Sequence, residues 1–267
     1  MEDFKVTKVI DIGNGVKIGG KNFEIIAGPC AVESEEQMYE IGKFLKDLGI
    51  KLLRGGAFKP RTSPYSFQGL GFEGLKILNK IKEEYNFKIV SEIMDPRDIE
   101  KSCEIIDIIQ IGSRNMQNYS LLKEVGKLDK PILLKRGMSS TIREWLMAAE
   151  YIEAEGNKDI IFCERGIRTF EDYTRNTLDL VSVPIIKSLS NYPIIVDPSH
   201  GTGRWELVPS STKAALAIGA DGAIIEIHPE PSKALSDGRQ SLNFNEFKKM
   251  YKDIEILKRE INNDRNG

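Results

Sequence analysis

Ala223-Ile224-Ile225-Glu226-Ile227 is a run of strand length, apolar except for one carboxylate. A strand with one wet face would alternate polar and apolar residues. A run apolar on both faces belongs to a parallel sheet covered on both sides. Seven more such runs precede it, at residues 23–27, 50–53, 87–93, 108–112, 131–135, 159–163 and 192–196. Between them lie amphipathic stretches predicted as helices over 35–48, 73–85, 96–105, 119–128, 142–155, 178–189 and 211–218, with a last helix over 244–261. Strict alternation of strand and helix through eight units predicts an α/β fold, a (β/α)₈ TIM barrel. The competing architecture, an open doubly wound sheet, needs fewer strands and a glycine-rich phosphate turn after the first. Here that turn reads Gly28-Pro29-Cys30.

The leading residues fall outside the eight units. Val9-Ile10-Asp11-Ile12 and Val16-Lys17-Ile18 flank Gly13-Asn14-Gly15, the pattern of a β-hairpin. This hairpin, residues 9–18, is expected to cover the N-terminal mouth of the barrel. Residues 1–267 otherwise read as a single catalytic domain, with no separate regulatory domain.

Composition excludes several classes. The 267 residues are 40% hydrophobic and 29% charged, with a net charge of −2, which gives no basis for binding nucleic acid or an acidic membrane surface. No apolar run approaches the roughly 20 residues of a membrane span, and Met1-Glu2-Asp3-Phe4-Lys5 lacks a signal core. Three cysteines do not make a disulfide framework, so a cytoplasmic location is expected. Cys103 and Cys163 read as core residues.

The polar residues gather just after the strands. Cys30 follows the first, His200 the seventh, Glu226 ends the eighth and Asp237 lies in the loop beyond it. In a closed barrel the first, seventh and eighth strands are neighbours. These four side chains could therefore meet on the rim where such barrels place their chemistry. One thiolate, one imidazole and two carboxylates suit a divalent transition metal. Glu226 in its apolar run is costly to bury without a cation or metal beside it. His228 reads as structural. A ring of cations, Arg54, Lys59, Arg61, Arg114, Lys135, Arg136, Arg165 and Arg204, is expected at the same mouth, though alternation of side chains keeps some of them from pointing inward. Such a ring calls for a substrate with several negative charges, phosphates above all.

These residues lie in motifs that together resemble a known family. Gly28-Pro29-Cys30, Lys59-Pro60-Arg61-Thr62-Ser63-Pro64, Gln110-Ile111-Gly112, Leu134-Lys135-Arg136-Gly137, Cys163-Glu164-Arg165-Gly166, Asp197-Pro198-Ser199-His200 and Ile225-Glu226-Ile227-His228-Pro229 occur in the order found in 3-deoxy-D-arabino-heptulosonate 7-phosphate synthases. The likeness is to the branch related to 3-deoxy-manno-octulosonate 8-phosphate synthases, and it spans essentially the whole chain. It implies a transferase that condenses phosphoenolpyruvate with erythrose 4-phosphate at the head of the shikimate route. The metal ligands it implies are Cys30, His200, Glu226 and Asp237, holding one divalent ion (manganese, iron, zinc or cobalt). Contacts to phosphoenolpyruvate fall on Arg54, Lys59, Gln110, Arg114, Lys135 and Arg165, and those to erythrose 4-phosphate on Arg61, Thr62 and Ser63. Lys59, Cys30 and His200 are the implied catalytic residues, and a homotetramer or homodimer is the implied assembly.

Two features bear on substrate and control. The octulosonate branch typically reads Lys-Ala-Asn-Arg where this chain has Lys59-Pro60-Arg61. Proline fixes φ and removes a donor, which favours the four-carbon aldehyde over arabinose 5-phosphate. With only the hairpin ahead of the barrel, weak or no feedback inhibition by phenylalanine or tyrosine is expected. Glu92, Asp95 and Glu164 are the candidates for orienting the attacking water, with Glu92 or Glu164 possible alternatively as partners that orient the cations.

Overall fold

Each of the eight central strands places a buried apolar side chain in one layer near the base of the sheet: Ile26, Leu52, Val90, Ile108, Leu133, Ile161, Ile195 and Ile224. The computed structural model describes residues 6–60 and 63–264, with side chains through residue 261. It opens with a two-stranded antiparallel hairpin, β1 (Ile10–Gly13) and β2 (Val16–Ile18). The eight units follow. They comprise β3 (Glu24–Gly28), α1 (Glu35–Asp47), β4 (Leu52–Arg54), α2 (Phe72–Tyr85), β5 (Lys88–Glu92), α3 (Ile99–Cys103), β6 (Ile108–Ile111) and α4 (Tyr119–Gly126). They continue as β7 (Ile132–Lys135), α5 (Ile142–Glu153), β8 (Ile160–Glu164), α6 (Ser182–Leu189), β9 (Ile194–Val196), α7 (Pro198–Thr202), α8 (Val208–Ala217), β10 (Gly222–Glu226) and α9 (Phe244–Asp264).

β3 to β10 pair in parallel and in sequence order, and β10 closes on β3. That seam runs through five residue pairs, from Gly222 opposite Glu24 to Glu226 opposite Gly28. The expected (β/α)₈ barrel is therefore the observed one. Several boundaries moved for local reasons. Pro131 and Pro193 lack the amide a strand needs, so β7 and β9 start one residue later than each proline. The helix expected over 211–218 starts at Val208, with proline in its first turn. The short α7 was not anticipated. Asp197 caps it by accepting from the His200 amide, Pro198 opens it, and Gly203 ends it at φ 68°.

The hairpin seals the base as expected. Ile10, Ile12, Val16 and Ile18 join the strand residues of the lower layer in one buried cluster. A separate, larger core lies between the strands and the helices. Ile18 is fully buried, so Ile18→Ala is expected to cost about 2–5 kcal/mol. Urea unfolding checks this. An unchanged midpoint would mean the hairpin only rests on the barrel.

Side chains alternate along a strand, so the residue two beyond each base-layer position faces the same interior, one step nearer the C-terminal mouth. Those residues are Gly28, Arg54, Glu92, Gln110, Lys135, Cys163, Asp197 and Glu226. This parity, one layer above the apolar base, sets the active mouth.

Candidate active site

Cys30, His200, Glu226 and Asp237 converge, as expected from the sequence, with one ligand-type atom from each lying within 4.8 Å of the others. Cys30 follows β3, His200 lies on α7, Glu226 ends β10, and Asp237 comes from the loop after it. Gly28 makes the approach possible. Its φ is 153°, and a Cβ there would lie 1.9 Å from the Arg54 carbonyl oxygen. Asp237 holds a left-handed conformation, φ 53°, unusual outside glycine.

Contacts fix each donor. Cys30 Sγ lies 3.0 Å from Lys59 Nζ, 2.9 Å from Ser236 Oγ and 3.1 Å from Asp237 Oδ2. His200 Nδ1 sits 2.8 Å from Asp197 Oδ2, which leaves Nε2 directed at Glu226 Oε1 (3.4 Å) and Asp237 Oδ2 (3.8 Å). A carboxylate behind a ligating imidazole sets its tautomer and aims its free nitrogen. Asp197 also takes the Lys135 ammonium. Glu226 accepts from Arg54 Nη1 at 2.8 Å, with the two side chains 0% and 4% exposed, so the buried carboxylate has the cation its burial requires.

Electrostatics favour a cation among the four. Burial, reinforced by Glu226, pushes the Cys30 thiol up to about 12 against the pull of Lys59. Burial also lowers the pKa of His200, against the pull of Asp197 and Glu226. Burial works against ionisation of Asp197, Glu226 and Asp237. His200 together with the neighbouring cations, Lys135 at Asp197, Arg54 at Glu226 and Arg175 at Asp237, outweighs it, and each carboxyl sits below its usual range. Two carboxylates, an imidazole nitrogen and a thiol are thus packed together. A divalent ion would relieve their repulsion and deprotonate the thiol, so the donor set fits a metal.

Beside the donors opens a cavity of about 310 Å³, lined by Arg54, Lys59, Arg114, Lys135, Arg165 and Arg175, with Gln110, Glu92 and Ser63. Arg165 is nearly buried, and its described hydrogen bond goes only to the Gly166 carbonyl. Burial lowers its pKa, and nearby Arg175 adds to that. An arginine so placed is a receptor for an anion. Glu92 accepts from Gln110 Nε2 at 3.2 Å, while its other oxygen is buried without a partner among the described residues. Gly112 admits that oxygen, since a Cβ there would lie 2.0 Å from it.

Residues 6–262 match the family described as the DAHP synthetase I family. The chain belongs to the DAHP synthetase I family. It is 56% identical over 249 residues to phospho-2-dehydro-3-deoxyheptonate aldolase of Thermotoga maritima, covering 93% of this chain and 73% of that one. A crystal structure of that name from the same organism superposes with a TM-score of 0.93 at 54% identity, covering 96% of this chain and 75% of the other. A truncated form of 3-deoxy-D-arabino-heptulosonate 7-phosphate synthase from Thermotoga maritima superposes with a TM-score of 0.90 at 50% identity, covering 96% and 94%. More distantly, 2-dehydro-3-deoxyphosphooctonate aldolase of Francisella philomiragia is 31% identical over 268 residues, covering 92% of this chain and 94% of that one.

The mouth of this DAHP synthetase I family member corrects four expectations. Arg136 is off parity with Lys135 and turns out of the barrel, where Nη1 meets Glu164 at 2.9 Å and Asp179 at 2.8 Å. Glu164 is off parity for the same reason. Arg136, the Gly166 amide and Ser182 occupy it, so of its two expected roles the geometry fits orienting a cation and not orienting the water. Asp95 is bound to Arg97 at the surface, and Arg204 to Glu206. Arg61 and Thr62 lie outside the described residues. Sequence reasoning missed Arg175, in an irregular loop, and Gln240, at the end of a short 3-10 turn (Gly238–Gln240), and it gave no role to Asp197, whose place as helix cap was readable from the Asp197-Pro198 pair.

Proposed function

We propose that this protein condenses phosphoenolpyruvate with D-erythrose 4-phosphate and water to give 3-deoxy-D-arabino-heptulosonate 7-phosphate and inorganic phosphate. The observation that carries the reading is the cation-lined cavity opening directly onto the four clustered donors. Lys135, Arg165 and Arg114 would hold the phosphate of phosphoenolpyruvate. Lys59 and Arg54 stand nearest the donors and would hold its carboxylate, and Ser63, with Arg61 and Thr62, would hold the aldehyde phosphate.

A divalent ion held by Cys30, His200, Glu226 and Asp237 would polarise the aldehyde oxygen. Manganese, iron, zinc and cobalt all suit the set. Carbon 3 of phosphoenolpyruvate then bonds to the aldehyde carbon, and charge develops at carbon 2. The Glu92 oxygen that is buried without a partner among the described residues would orient a water toward that carbon and take its proton. Addition of the water gives a hemiketal phosphate, and breaking its carbon–oxygen bond releases phosphate against Lys135 and Arg165. In this reading the protein acts in the cytoplasm as a homotetramer or homodimer, and its barrel is a single catalytic unit. No helix among the described residues is long and apolar enough to cross a membrane.

A second reading has a specific observation behind it, the likeness to 2-dehydro-3-deoxyphosphooctonate aldolase along nearly its full length. It would replace erythrose 4-phosphate by arabinose 5-phosphate. Phosphate release with each aldehyde, with and without chelator, separates the two. We expect chelator-sensitive turnover that prefers erythrose 4-phosphate and is weakly inhibited, or not inhibited, by added phenylalanine or tyrosine. Preference for arabinose 5-phosphate would select the second reading, and no turnover with either aldehyde under any divalent metal would reject both. Strong inhibition by either amino acid would reject the single-unit view.

A further inference from the structure

Arg175 and Gln240 border the donors yet have no part in the chemistry above. Glu226 Oε2 accepts from Gln240 Nε2 at 2.6 Å, and Glu226 Oε1 is the atom facing His200. Asp237 Oδ1 accepts from Arg175 Nη1 at 3.2 Å, and Asp237 Oδ2 is the atom facing Cys30 and His200. In each carboxylate one oxygen is held from outside by this pair and the other is turned toward the donors, where Glu226 Oε1 also accepts from Arg54 Nη1. The two holders are themselves joined, since Arg175 Nη1 also donates to Gln240 Oε1 at 2.8 Å.

We infer that Arg175 and Gln240 form a positioning relay, which fixes one oxygen each of Glu226 and Asp237 toward the cation that the four donors would hold. This rests on the metal-site reading above. The chemistry at position 240 is restrictive. The side chain must accept from a guanidinium on one side and donate to a carboxylate on the other, and a carboxamide does both. A carboxylate there would repel Glu226. Gln240 is 2% exposed, so neither bond is readily replaced by water.

The relay is also fastened to the element that carries the third donor. The Arg175 amide donates to the Thr202 carbonyl at 2.9 Å, and Asn176 Nδ2 donates to the His200 carbonyl at 2.9 Å. The loop before α6, the helix α7 and the loop after β10 thereby share one set of bonds around the donors.

The test is titration of the metal-free protein with Co²⁺, reading affinity by competition with a chromophoric chelator and geometry from the visible and thiolate charge-transfer bands. Gln240→Met keeps charge and approximate volume. We expect it to weaken cobalt binding about 10- to 100-fold and to alter the visible bands. Lower thermal stability with parent-like affinity and spectrum would make Gln240 merely structural and overturn the relay. Arg175→Met, at a partly exposed side chain, covers the case in which the first variant does not fold. Removing that positive charge should by itself tighten binding of a cation, so weaker binding supports positioning and tighter binding overturns it. Turnover is not the readout, so a failed relay leaves the condensation reading standing, and a failed phosphate-release assay leaves the relay test intact.

Discussion

Cys30→Ala is expected to lower turnover by at least about 10³-fold, since Lewis-acid stabilisation of several kcal/mol depends on an intact donor set. The thiol is the soft donor of the four and lies within 3.1 Å of Asp237 and 3.0 Å of Lys59. Its loss leaves two carboxylates and an imidazole, which bind a transition metal more weakly and less selectively. Metal content after dialysis and the initial rate of phosphate release, measured on one preparation, check the result. The fold should tolerate the change. Without metal the thiol is a neutral buried group, its ionisation opposed by burial and by Glu226, so removing it strands no charge. A variant that loses metal but keeps its rate would refute the metal-dependent reading. One that loses its fold would show Cys30 to be a core residue.

Arg54→Met is expected to destabilise the protein by about 3–5 kcal/mol, because it leaves the fully buried Glu226 carboxylate without its ion-pair partner. The partners are 2.8 Å apart and both sit inside the barrel. His200 and Gln240 still touch Glu226, but an imidazole 3.4 Å away and an amide do not replace a guanidinium hydrogen-bonded at 2.8 Å. Urea unfolding in the presence of chelator measures the loss without contribution from bound metal. The decisive comparison is the double variant Arg54→Met with Glu226→Gln. If a stranded charge causes the loss, neutralising it restores most of the stability. If the double variant is no better than the single, the cause is lost packing of the arginine stem, and the electrostatic account of this pair fails. Activity should be lost in both, since Arg54 lines the cavity.

The barrel was legible because two periods coincide in the chain. Apolar runs of strand length alternate with helical stretches, and each interior residue recurs two positions on. The same step explains which strand-end residues face the barrel interior. Arg54, Gln110 and Lys135 each follow a base-layer residue by two and line the cavity, and Glu226, spaced alike, joins the four donors. Arg136 and Glu164 were placed at the mouth because they neighbour site residues in sequence, yet odd spacing turns both outward, toward each other. Arg175 and Gln240 carry no such mark. Arg175 lies in an irregular loop and Gln240 ends a short 3-10 turn, and their partners are 62 and 65 residues from Arg175 or 14 from Gln240, separations that no local pattern encodes.

The two-residue step has a further consequence. At about 3.3 Å per residue, the apolar layer lies only about 6.6 Å beneath the charged one. The floor on which the substrates would rest is therefore the roof of the lower packing layer, with no intervening shell to absorb a change of size. Exchanging Val90 for a bulkier residue, or Ile224 for a smaller one, would raise or lower that floor without touching a single polar group. Packing of the base and the height of the cavity floor are therefore set by the same side chains.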